Sequence, residues 1–351
     1  MNGPAIRTVL DSLNHGLYQS LADDKRAVLL GEDLLDPYGG AFKVSRGLSS
    51  AFPDQVLTTP ISEAGVTGIA GGMALRGLRP VVEIMFGDFI TLISDQVINH
   101  IAKFNDMYHG AATAPVVIRT PMGGRRGYGP THSQSLEKFF LGVPGLTVLA
   151  PFNLFGNSPL GSPGQLLKDV ILKAEVPVLF VENKLQYLLP LLSKANLDEY
   201  EVNTVWDDAG VPAPSYTLRL KSAPQATLTL AAYGYMAHLA LGAMRKLAYE
   251  MEIFCELLVP TQLAPFELKE VFDSVRCTGR LLTVEEGTFS LGWGAEVVAR
   301  TAEELGTNLK QAGRLAAREG VIPVAPDLEL ASLPGDEDII ARVREMVFHH
   351  G

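Results

Sequence analysis

The apolar positions of the chain fall into two kinds of pattern. Short, nearly unbroken apolar runs (AVLLGED, VLTTP, LRPVVEIMF, APVVIRTP, LTVLAP and PVLFVEN) alternate with longer stretches whose apolar residues recur every three or four positions. A run that is apolar at consecutive positions is covered on both faces, which points to parallel strands between layers of helix. The intervening stretches predict helices: an amphipathic N-terminal segment, SEAGVTGIAGGMALRG, a long pattern over residues 88–108, and GQLLKDVILKA. For the second of these, Ser62 is placed to cap the start and Gly77 to stop the end. Its many glycines lower helix propensity, which suggests close packing against another backbone.

This first unit ends near Leu188, and residues 189–224, with Pro190, Pro212 and Pro214, read as an irregular connection. ATLTLAAYG, EIFCELLVP and RLLTVEEG then predict strands, with helices over MAHLALGAMRKLAYE, over PFELKEVFDSVRCTG and from about Gly294. The expected architecture is α/β with two doubly wound domains, residues 1–188 and 225–351, joined by 189–224. GNSPLGSPG, inside the first domain, reads as a turn-rich surface excursion.

Composition narrows the function classes. The 351 residues are 47% hydrophobic and carry a net charge of −10, unlike a general nucleic-acid binder. Two cysteines, Cys255 and Cys277, are too few for a disulfide framework and lack metal-site spacing. The N-terminus does not resemble a signal peptide, and no apolar stretch reaches 18 residues, so a cytoplasmic protein without a membrane partner is expected.

In a doubly wound sheet, ligands sit beyond the carboxyl ends of the strands. That rule selects Glu32, Asp33, Glu63, residues 85–89 and the Gly-rich loop 122–135, which carries Arg125, Arg126 and His132. No Walker motif, dinucleotide fingerprint, nucleophile elbow or zinc spacing is present. Singly, each position has an ordinary explanation: a helix-start Glu faces the dipole, a loop Arg is solvated, and Phe86 and Phe89 belong to a core.

Five motifs, in order along nearly the whole chain, carry a resemblance. GED…GGAFKVSRGL, TPISEAGVTGIAGGMALRGLRPVVEIM, DQVINHIAKF, HSQSLEKFFLGVPGLTVLAP and GRLLTVEEGTFSLGWGAE resemble the β chain of thiamine-diphosphate-dependent 2-oxo acid dehydrogenases, as in the pyruvate, branched-chain and acetoin dehydrogenase complexes. The resemblance implies a transketolase-like pyrimidine-binding domain followed by a transketolase C-terminal domain. It implies that Glu63 hydrogen-bonds the aminopyrimidine ring nitrogen of thiamine diphosphate and so activates the cofactor. It places Glu32 near the cofactor, Phe89 against the pyrimidine ring, and His132 near the substrate, orienting it or assisting acyl transfer.

The family's Gly-Asp-Gly motif for diphosphate and Mg²⁺ is missing, since Gly87-Asp88-Phe89 lacks the second glycine. Diphosphate and Mg²⁺ are therefore expected on an α subunit, in an α/β heterotetramer with its sites between chains. Ala174 stands where relatives place an aspartate near potassium, so that site lacks a ligand here. Arg125 and Arg126 offer planar forks suited to a carboxylate or phosphate of the substrate. The leading expectation is oxidative decarboxylation of a 2-oxo acid with acyl transfer to a lipoyl acyltransferase or a lipoyl or acyl carrier protein. Ketol transfer from a ketose phosphate and a non-catalytic scaffold are the alternatives.

Overall fold

Consecutive buried residues do form the strands, and their side chains divide between two helix layers. The computed structural model describes residues 6–154, 161–193, 195–207, 211 and 213–348. The chain begins with α1 (Val9–Asp23), β1 (Ala27–Gly31), α2 (Leu48–Ala51), β2 (Val56–Thr58), α3 (Glu63–Leu75) and β3 (Arg79–Glu83). Next come α4 (Phe104–Met107), β4 (Val117–Met122), β5 (Thr147–Leu149), α5 (Pro163–Lys173) and β6 (Val178–Asn183). The second half holds β7 (Tyr200–Asp207), β8 (Ala213–Leu220), β9 (Leu228–Ala232), α6 (Gly234–Met251), β10 (Cys255–Pro260) and β11 (Gln262–Ala264). It closes with α7 (Lys269–Thr278), β12 (Arg280–Thr288), α8 (Trp293–Leu305), β13 (Gln311–Ala317), α9 (Pro326–Ser332) and α10 (Asp336–Phe348).

The strands make two sheets, ordered β11-β5-β6-β4-β3-β1-β2 and β13-β12-β9-β10-β8-β7. In the first, β1 to β6 pair in parallel. Strand β11 comes from the second half of the chain and joins antiparallel to β5, so the two halves interlock. Alternate residues of β1 face opposite layers, as the period of a strand requires. Ala27 and Leu29 pack with Leu13 and Leu17 of α1 and Leu167 and Val170 of α5. Val28 and Leu30 pack with Val66 and Ala70 of α3, and this cluster continues into the second half through Ala231, Tyr233 and Trp293. Each fully buried Leu or Val of this kind contributes about 1.5–3 kcal/mol.

Four expectations are corrected. Residues 189–224 are not an irregular connection, because they contain the hairpin β7–β8 at the edge of the second sheet. Tyr200, Tyr216 and Leu218 turn into its core, while Pro214 sits at the start of β8, where a proline is tolerated. The long helix over residues 88–108 is broken into 3₁₀ turns (Gly87–Ile93), a π turn (Gln96–His100), a second 3₁₀ turn and α4. Ile90, Ile93, Val97 and Ile101 are buried, so the apolar spacing identified the inner face but not the tightness of each turn. Ser62 precedes α3 but makes no capping hydrogen bond. In GNSPLGSPG, residues 156–160 lie outside the described part, and the rest is buried and no surface excursion. Gly164 is buried against α1, where an added Cβ would come within 1.7 Å of the Ser12 carbonyl oxygen.

Candidate active site

Because β1, β2, β3, β4 and β6 are parallel neighbours, the residues following each of them gather at one sheet edge. Glu32 follows β1, and α3 opens with Glu63 just beyond β2. Glu63 is only 9% exposed, yet among the described residues its carboxylate has no hydrogen-bond or ion-pair partner. Burial raises the pKa of Glu32, and the neighbouring Glu63 carboxylate raises it further, against an opposing bond from the Ser62 backbone. Neither carboxylate has a cation beside it among the described residues, and Glu63 has no donor of its own. Such a site suits a ligand that brings N–H groups.

Beside them, the residues after β3, β4 and β6 form an aromatic cluster around His132. The imidazole stands edge-on to Phe86 at 4.7 Å and to Phe89 at 5.4 Å between ring centroids. Phe86 also meets Tyr128 at 5.8 Å. His132 Nδ1 lies 3.0 Å from the Thr131 hydroxyl. Lys184, fully buried, donates to the His132 carbonyl and sits 5.3 Å above the Phe86 ring. Burial lowers its pKa to about 8, despite the pull of Asp88 and Glu286. Asp88 is buried, and its Oδ1 accepts from the Gln134 side chain at 2.8 Å, which ties the Gly-rich loop to the 3₁₀ turn after β3.

The two arginines part company. Arg125 donates to Glu286 Oε1 at 2.9 Å and to the Pro334 carbonyl, and its side chain is 9% exposed. Its fork is thereby used within the chain, which corrects its assignment to substrate. Arg126 is exposed, 5.8 Å from the Tyr128 ring. At Ala174, the backbone carbonyl and that of Ile171 both accept from the buried Arg79 guanidinium, at 2.9 and 3.2 Å. Deeper in the sheet, Arg119 bridges Glu83 and Glu182, and Tyr187 donates to Glu182 at 2.5 Å. This trio anchors the ends of β3, β4 and β6, from which the aromatic cluster projects.

Of the residues selected from the sequence, the fold brings Glu32 to Glu63 and Phe89 to His132, and it sets Arg125 apart. Lys184, Tyr128 and Asp88 belong to the cluster but were not assigned a role. Lys184 directly follows β6, so the strand-end rule that selected Glu63 also reaches it. Among the described residues no group of three or more His, Cys, Asp or Glu is placed to hold a metal.

Comparison with known proteins agrees with this architecture. Residues 7–187 match the family described as transketolase, pyrimidine binding domain, and residues 218–339 match transketolase, C-terminal domain. The pyruvate dehydrogenase E1 component subunit beta-1 of Arabidopsis thaliana is 35% identical, over 95% of this chain and 87% of its own length. The human mitochondrial subunit beta is 34% identical over 96% and 90%. The acetoin:2,6-dichlorophenolindophenol oxidoreductase subunit beta of Cupriavidus necator is 30% identical over 95% of each chain. A solved structure titled split gene transketolase, inactive beta4 tetramer, shares the fold with a TM-score of 0.70 at 18% identity, covering 97% of this chain and 98% of its own. The chain belongs to the transketolase-like family of β subunits of thiamine-diphosphate-dependent 2-oxo acid dehydrogenases.

Proposed function

We propose that this chain is the β half of an α/β 2-oxo acid dehydrogenase and supplies the aminopyrimidine side of a shared thiamine diphosphate site. The observation that carries this reading is Glu63, a buried and unpartnered carboxylate at the mouth of a parallel sheet. Its donor set fits the group, since a carboxylate accepts from a protonated ring nitrogen and the nearby aromatic rings offer a flat apolar wall. When bound, thiamine diphosphate supplies the carbon nucleophile and electron sink for decarboxylation. Glu63 holds a proton on the ring nitrogen, and a fixed, desolvated carboxylate does this better than a mobile one. Beside it, burial and the Glu63 carboxylate raise the proton affinity of Glu32. Phe86 and Phe89 exclude water and hold the His132 ring, which orients the substrate or moves a proton during acyl transfer.

Diphosphate and Mg²⁺ fall to the α subunit. The outer side of α3, with Gly65, Gly68, Ile69 and Gly72 exposed, leaves room for a partner backbone in a heterotetramer. With Arg125 engaged by Glu286, the motive for a phosphorylated ketose donor rests on Arg126 alone, and a 2-oxo acid is the better reading. The test is co-expression with an α chain carrying Gly-Asp-Gly, followed by a screen of 2-oxo acids and ketose phosphates. The complex is expected to decarboxylate a 2-oxo acid and the chain alone to be inert. Turnover by the isolated chain, or by the complex on ketose phosphates only, would overturn the reading.

A further inference from the structure

The loop that carries His132 is built as an anion receptor. Gly123, Arg125, Gly127 and Gly129 adopt φ of 95°, 65°, 68° and 74°, and the residues between them do not share the left-handed region. A chain alternating in this way turns successive N–H groups towards one concave side, a nest that binds anions. Here the second half of the chain fills the concavity. Glu329, on α9, accepts from Arg125 N and Gly127 N at 2.9 Å each and from the Ser133 hydroxyl at 3.3 Å. Glu286, on β12, accepts from Gly124 N at 2.9 Å, from Arg125 Nη1 at 2.9 Å and from Asn183 Nδ2 at 2.8 Å.

Both carboxylates are buried, Glu329 at 2% and Glu286 at 7% exposure. Among the described residues no lysine, arginine or histidine makes an ion pair with Glu329, so loop amides and the Ser133 hydroxyl satisfy its charge. The contact leaves little freedom. A Cβ on Gly124 would come within 2.6 Å of Leu333 Cδ1, and one on Gly129 within 2.6 Å of Val324 Cγ2. Five residues after Gly127 the same loop presents His132 to the aromatic cluster.

We propose that Glu286 and Glu329 are positioning residues for His132, so that the C-terminal domain sets geometry at a site built on the other sheet. The kinetic part of this inference rests on the dehydrogenase reading, whereas the clamp itself does not. Simple cohesion between domains would make the two carboxylates matter for global stability alone. Positioning requires that their loss loosens residues 124–133 while both sheets stay intact.

The test uses the full-length chain with Glu329→Gln, which keeps the volume but removes the charge and one acceptor. Hydrogen exchange of the amides of residues 124–133 is expected to rise on the order of tenfold, with β3 and β9 unchanged, and the titration of His132 followed by NMR is expected to shift. In the reconstituted α/β complex, kcat should fall roughly tenfold with a displaced pH profile and little change in KM for thiamine diphosphate. Glu329→Asp should recover part of the loss, and Glu286→Gln repeats the measurement should Glu329→Gln not fold. Unchanged exchange and titration, or exchange accelerated equally in both domains, would overturn the clamp. A loosened loop with an unaltered kcat would overturn positioning, and failure of the complex to decarboxylate any 2-oxo acid would indict the dehydrogenase reading while leaving the exchange result to stand.

Discussion

Each sheet presents a pair of glutamates, and the two pairs have opposite surroundings. At the first sheet Glu32 and Glu63 face each other with little or no internal compensation. In β12 of the second sheet, Glu285 accepts from Trp293 N and Gly294 N at 2.8 and 2.9 Å, at the start of α8, while Glu286 is met by Gly124, Arg125 and Asn183. Residue type is alike in both pairs, and Glu63, Glu285 and Glu286 are all buried, while Glu32 is half-buried. The supply of donors differs: Glu285 and Glu286 are satisfied within the chain, and Glu63 keeps its acceptors free for a ligand in the proposed reading.

The contrast can be broken by removing one member at a time. Glu63→Gln should have the largest effect on chemistry, lowering decarboxylation by the α/β complex on the order of 10²–10⁴-fold. Its urea midpoint should not fall, because the change removes an unpartnered buried charge. A variant that keeps activity but loses stability would place Glu63 with the structural pair. Glu286→Ala, unlike Glu63→Gln, should also lower stability, costing about 3–5 kcal/mol in equilibrium unfolding of the isolated chain by stranding Arg125, whose side chain is 9% exposed.

The smallest and most specific effect concerns pH. Burial pushes the Glu285 pKa from 4.5 up to about 7, against the Gly294 and Trp293 amides that pull it down. The folded chain therefore holds this proton more tightly than the unfolded one. Its contribution is fully present below about pH 4.5 and is lost as pH rises through about 7. Glu285→Gln should flatten that part of the stability curve by roughly 3 kcal/mol at full titration. Urea midpoints measured from pH 4.5 to 8 on both proteins check it. A parallel pair of curves would show that Glu285 does not titrate in this range.

Strand positions and layering were legible because a run such as PVLFVEN cannot remain in water, and a parallel sheet between helices buries it. The candidate site was half legible for the same reason, since the ends of parallel strands collect at one edge. The prolines of residues 189–224 hid a hairpin whose pairing is long-range, Tyr200 with Leu220 and Leu257 with Leu218. The guanidinium of Arg125 reads as free for a substrate in a Gly-rich loop because its partner Glu286 lies 161 residues away.

By itself the sequence determined the two α/β units and the family, and it singled out the carboxylate and histidine of the candidate site, since all of these depend on local periodicity and motif order. Only the tertiary structure decided which charges are spent. Arg79 on the carbonyls at the end of α5, Arg119 between two glutamates, and Glu286 and Glu329 in the nest of the His132 loop are satisfied by partners remote in sequence. Hydrogen-bond satisfaction is a property of three-dimensional neighbours, so no local pattern could distinguish these groups from Glu63, which has none among the described residues.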